Sequence, residues 1–134
     1  MFFQSNDYLS GESLFKIQSD VIRRLASEKS CVIVGRCADY ILRGDPDCIR
    51  IFICAEERDR IRRIMKYSGI SKVAEARSQM HKADKTRAEY YNYYTDKVWG
   101  ASESYDLCLN SSRLGEEQTF QIIKHACLER MNSK

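Results

Sequence analysis

Three short apolar runs punctuate the chain: Cys31-Val32-Ile33-Val34-Gly35, Ile49-Arg50-Ile51-Phe52-Ile53-Cys54 and Tyr105-Asp106-Leu107-Cys108-Leu109. They are rich in β-branched residues, of strand length, and bounded by polar or Gly/Pro-containing segments, which predicts three buried strands. The first has almost no polar alternation, so it reads as a parallel strand covered on both faces. Around the runs the apolar spacing becomes helical. Leu14, Ile17, Val21, Ile22 and Leu25 form a stripe that predicts a helix over residues 11–28. Ile61, Ile64 and Met65 do the same over 56–67, with arginines on the other face. A third helix is expected to start near Ser71, as N-cap before Lys72-Val73-Ala74-Glu75, and to run toward Tyr94. A last one follows Gly115, with Glu116 and Glu117 in its first turn and Phe120, Ile123, Cys127 and Met131 along it. With a helical turn between the first two strands, the order of elements predicts an α/β fold, a mostly parallel sheet flanked by helices. There is no internal repeat, low-complexity tract or linker, so residues 1–134 read as a single domain.

Composition narrows the function classes. A chain of 134 residues, 43% hydrophobic and 31% charged, has the make-up of a soluble globular domain. No apolar run approaches the roughly 20 residues that cross a bilayer, so no membrane partner is expected. The opening Met1-Phe2-Phe3-Gln4-Ser5-Asn6-Asp7 lacks the pattern of a signal peptide, and a cytoplasmic location is expected. A net charge of +3 is too small to imply a nucleic-acid partner. Six cysteines, at 31, 37, 48, 54, 108 and 127, include no Cys-x-x-Cys pair, and His81 and His125 stand far apart, so no metal site is expected. The cysteines read as reduced structural thiols, with Cys31, Cys54 and Cys108 as small buried hydrophobes.

What matters about the charge is its placement. Arg58, Arg60, Arg62, Arg63 and Lys66 set five positive groups within nine residues. On a helix Arg60 and Arg63 share a face, as do Arg58 and Arg62. Converging guanidinium groups suit phosphate because each planar fork gives two hydrogen bonds and keeps its charge. The same residues also read as a solvated face, partly neutralised by Glu56, Glu57 and Asp59. Gly35-Arg36 directly follows the first run, and ligands of parallel sheets bind beyond the carboxyl ends of strands. Asp84 and Arg87 either pair on one helix face or present an acceptor for sugar hydroxyls beside a donor for a base or phosphate. The run Tyr90-Tyr91-Asn92-Tyr93-Tyr94 reads as amphipathic packing, with Tyr90, Tyr91 and Tyr94 on one side, or as a stacking surface for bases.

In order and spacing these pieces resemble the cytidylate kinase-like family of P-loop nucleoside monophosphate kinases. The resemblance runs through the segment from Cys31 to Leu42, the strand ending in Cys54-Ala55, Arg60-Ile61-Arg62-Arg63-Ile64-Met65, Asp84-Lys85-Thr86-Arg87, the tyrosine run and Tyr105 to Ser112. It covers nearly all of the chain from about residue 13 onward. It implies transfer of the γ-phosphoryl of ATP, with Mg2+, to CMP, dCMP or a related nucleoside monophosphate. In that family the arginine of the Gly-Arg pair, here Arg36, contacts the monophosphate, and the Asp-x-x-Arg pair, here Asp84 and Arg87, holds ribose and base. Arg60 and Arg63 are most similar to the catalytic arginines before and within a mobile lid, which falls here on residues 67–82. Closure over a charge-neutralised phosphate is what phosphoryl transfer requires.

Two departures qualify the resemblance. Cys37 stands where family members typically carry an aspartate that reads the base. No segment matches Gly-x-x-x-x-Gly-Lys-[Ser/Thr]. The family's sheet runs in the order 2-3-1-4-5 with the P-loop strand at its centre, so the three runs correspond to strands 3, 4 and 5 and lack their middle neighbour. The expectation is therefore a truncated product or fragment, supplying the monophosphate-binding and lid part. The gap in its sheet is expected to be closed by direct pairing of the first two runs, by a homo-oligomeric partner, or left loose. A non-catalytic nucleotide-binding module is the competing expectation.

Overall fold

A computed structural model describes residues 11–133 of the chain. Residues 1–7, read above for a leader, lie outside them. The chain divides into two compact units, Met1–Cys48 and Ile49–Lys134.

In the first unit, helix α1 spans Gly11–Glu28 and the single turn α2 spans Ala38–Ile41. The predicted stripe of α1 turns inward only in part. Ile22 is buried, whereas Leu14, Ile17 and Val21 are 41%, 53% and 51% exposed. A four-residue helix is too short to cover a stripe that runs along several turns of α1. The predicted strand over 31–35 does not form: these residues carry no strand, and Val32 and Val34 stand 92% and 87% exposed. A parallel strand exists through its ladder neighbours, and no described residue pairs with this run. Its last residue opens a series of three left-handed residues, Gly35, Arg36 and Cys37, with φ of 71°, 56° and 56°.

In the second unit, β1 (Ile51–Cys54) and β2 (Leu107–Asn110) pair in parallel, Ile51 opposite Leu107 and Cys54 opposite Asn110. Among the described residues these two strands make up the sheet, so direct pairing of the first two runs, one of the three outcomes expected for the gap, is not among its ladders. Helix α3 spans Glu57–Ser68 and α4 spans Val73–Thr95. Gly69, with φ 69°, ends α3 in the left-handed cap that glycine adopts at least cost. The residue before α4 is Lys72, in extended conformation and without a side-chain cap, so Ser71 is not the N-cap predicted for it. The two helices close on Ile61, Ala76 and Met80, with Ile64, Met65 and Ile70 packed around them.

The aromatic ring of Phe52 on β1 meets Trp99 edge-on at 5.6 Å and Tyr105 at 5.0 Å. Beyond the strands come the turn α5 (Ser111–Leu114) and helix α6 (Glu116–Asn132). The serines of α5 tie the strand ends together. Ser111 Oγ donates to the Cys54 carbonyl at 3.1 Å, and Ser112 Oγ accepts from the Glu56 N–H at 2.8 Å. None of the six cysteines forms a disulfide among the described residues. Cys31, Cys54 and Cys108, expected to be buried, are exposed, because the runs that carry them are covered on fewer sides than their composition anticipates. Cys37 is the buried one.

Candidate functional site

Helices α3 and α4 bring together residues that the sequence holds apart. Arg60 projects from α3 one position before the buried Ile61, and Asp84 from α4 one turn after the buried Met80. Their backbones are therefore fixed by the same apolar contact. Across it the Arg60 guanidinium donates from Nη1 to Asp84 Oδ2 at 2.7 Å and from Nη2 to Oδ1 at 2.6 Å. This parallel fork is the strongest geometry available to the two groups. Arg87, one turn further along α4, holds its Nη1 at 3.7 Å from Asp84 Oδ1, beyond hydrogen-bond length. Asp84 thus pairs first with Arg60 and only loosely with Arg87.

The electrostatics follow. The hydrogen bond from Arg60 holds the Asp84 carboxyl below the usual carboxylate range against the opposing effect of burial. Arg60, Arg87 and His81 add their positive fields in the same direction. The same bond raises Arg60 above the ordinary arginine value.

A second link runs between the same two helices with the charges reversed. Arg77 on α4 donates to Glu57 on α3 at 2.8 Å, and His81 Nε2 lies 3.9 Å from the other Glu57 oxygen. In the sequence Glu57 reads only as a neutralising neighbour of the arginines, and nothing distinguishes Arg77. Nothing local marks a partner 20 residues away on another helix.

Arg63 is held elsewhere. Its Nη2 lies 3.4 Å from Glu116 Oε1 at the start of α6, and that carboxylate is 79% exposed. Arg36 stands in the first unit, exposed, in the left-handed turn. There the Gly35 carbonyl accepts from the Ala38 N–H at 3.1 Å, and the Cys37 carbonyl accepts from Ile41 at 2.9 Å. The Cys37 thiol is pushed up to about 11, first by burial and then by the charge of Asp39. It is thus a neutral, buried group at the position where family members typically carry an aspartate.

The segment expected as a lid, residues 67–82, does not stand free of its neighbours. It contains Ala76, fully buried, and Met80, both packed on Ile61. Of the tyrosine run, Tyr91 is buried and Tyr93 is 70% exposed. Tyr94 contacts Tyr90 at 4.7 Å and Tyr93 edge-on at 4.9 Å.

With this geometry in place, comparison with known proteins identifies the class. The model of the cytidylate kinase-like family matches residues 1–113, and the chain belongs to that family. A cytidylate kinase of Methanopyrus kandleri is 29% identical over 116 residues, covering 78% of this chain and 58% of its own length. The crystal structure of an uncharacterized protein from Eubacterium ventriosum is 32% identical and superposes with a TM-score of 0.82 over 86% of this chain and 65% of that one. The chain therefore spans less than two thirds of either relative. The mixture of helices with a small parallel sheet is consistent with an α/β kinase-like fold.

Proposed function

We propose that this chain is the monophosphate-binding and lid part of a P-loop nucleoside monophosphate kinase, acting on CMP, dCMP or a related nucleotide with ATP and Mg2+. The observation that carries the reading is the junction of Arg60, Asp84 and Arg87 across α3 and α4, inside the region matched by the family. In this reading Arg36 takes the monophosphate, Asp84 and Arg87 hold sugar and base, and Arg60 and Arg63 supply the lid-side positive charge. Positioning and charge neutralisation are the contributions a protein makes to phosphoryl transfer. Because the Cys37 thiol is neutral and buried, the base is read by other groups, and CMP, dCMP and UMP are all candidate acceptors.

Among the described residues no three His, Cys, Asp or Glu side chains gather as a metal site. The sequence also has no Gly-x-x-x-x-Gly-Lys-[Ser/Thr] cradle. ATP and Mg2+ thus enter the reading through the family alone, and in this reading the central P-loop strand of the family's sheet lies outside these residues. This favours one alternative, a nucleotide-binding module without catalysis. No described helix is long and apolar enough to cross a membrane. A cytoplasmic location and association of copies across the open edge of β1 belong to the same proposal.

Release of ADP from ATP and Mg2+, measured with CMP, dCMP and UMP in turn, tests it. Turnover in the range of about 1–100 per second supports the transferase. Saturable nucleotide binding without ADP release supports the binding module, and absence of both contradicts the two readings.

A further inference from the structure

The resemblance gives Arg60 and Asp84 separate duties, one at the transferring phosphate and one at the sugar. The geometry gives them one. A guanidinium has five N–H donors in a fixed plane, and an ionised carboxylate has about four lone-pair sites. The fork between Arg60 and Asp84 uses two donors and one lone pair on each oxygen. What remains on Asp84 is one acceptor site per oxygen not used by the fork, with Arg87 Nη1 at 3.7 Å from Oδ1, beyond hydrogen-bond length, on a side chain 23% exposed. Both backbones are anchored by Ile61 and Met80, so the fork fixes the carboxylate and not merely a pair of drifting side chains.

We propose that Arg60 is a positioning residue for Asp84: its fork sets the plane and rotamer of the carboxylate and leaves the outward lone pair of each oxygen for a sugar hydroxyl. The inference rests on the nucleotide reading above and revises one role in it: Arg60 acts on the nucleotide through Asp84, and the direct lid-side charge is left to Arg63. The charged groups around Asp84 are Arg60 from α3 and Arg87 and His81 from α4, with Glu57 acting on Arg60. Among them Arg60 contributes the largest effect, so its loss must be visible in the titration of Asp84 itself.

The test uses the full chain, with CMP as probe and carbon-detected NMR following the Asp84 carboxyl. Arg60→Lys keeps the charge and removes the fork, and Arg62→Lys serves as control on an arginine that is 68% exposed. Expected are an upward move of the Asp84 midpoint in Arg60→Lys and CMP binding weakened about tenfold, the change set by one lost charge-assisted hydrogen bond. Arg60→Lys is expected to cost nothing further when added to Asp84→Asn, because Arg60 works through that carboxylate. Additive losses in the double variant, or weaker binding with an unmoved Asp84 midpoint, place Arg60 on the nucleotide directly and overturn the proposal. Unchanged binding in Arg60→Lys, with CMP bound by the parent, overturns it alone. A parent that does not bind CMP at all overturns the nucleotide reading and this inference together.

Discussion

Asp106 accepts three hydrogen bonds from Arg50: from its main-chain N–H at 2.8 Å, from Nε at 3.1 Å and from Nη2 at 2.9 Å. The Arg50 carbonyl in turn accepts from the Asp106 and Leu107 N–H groups at 2.8 and 3.2 Å. One residue before each strand, this clamp sets which residues of β1 and β2 face each other. A two-stranded parallel sheet has few ladder bonds of its own, so its register depends on such anchors. Asp106→Ala is predicted to lower unfolding free energy by ~1–2 kcal/mol in denaturant titration, discounted because the side chains are about a third exposed. The amide exchange of residues 51–54 is predicted to rise with it.

Two carboxylates make the chain acid-sensitive. Asp84 is held below the usual range chiefly by the hydrogen bond from Arg60, and Asp106 chiefly by that from Arg50. A depressed folded pKa means that the unfolded chain takes up its proton first as pH falls. The stabilisation is then complete above the ordinary aspartate value, about 3.9, and is lost as pH drops through the lower folded values. Melting temperature is predicted to fall on acidification below about pH 4, with a shallower acid limb in the Asp84→Asn, Asp106→Asn double variant.

Packing gives a contrast between two apolar residues. Met80 is 2% exposed between α3 and α4, and Met80→Ala is predicted to cost ~2–3 kcal/mol through the cavity it leaves. Val32 is 92% exposed, and Val32→Thr is predicted to change stability by no more than ~0.5 kcal/mol. Urea unfolding of the two variants beside the parent checks both.

The thiols separate by exposure. Cys31, Cys54 and Cys108 are exposed, and Cys37 is buried with its thiol raised to about 11. Since the thiolate is the reactive form, a disulfide reagent at pH 8 is predicted to label the three exposed cysteines first and Cys37 last. Peptide mapping after timed quenching reads the order.

Helical period places α1 and α3 to within a residue or two, and Gly115 with the acidic residues after it marks the start of α6, because these signals are properties of each segment by itself. The second and third apolar runs likewise became β1 and β2. The first run failed where composition cannot help: Cys31-Val32-Ile33-Val34 has strand chemistry, but a strand also needs a neighbour, and the described residues provide none. The candidate site divides in the same way. Asp84 and Arg87 were visible as a pair because they sit on one helix. The bond that holds Asp84 comes from Arg60, 24 residues earlier on another helix, and only the packing of Ile61 on Met80 brings it there.

Isothermal titration of the intact chain with CMP tests the central claim most directly, with Arg36→Ala and Arg87→Ala measured beside it. The account predicts saturable one-to-one binding, weakened at least about tenfold in each variant, as expected for loss of a charge-assisted contact to the ligand. Absence of saturable binding, or variants indistinguishable from the parent, contradicts it.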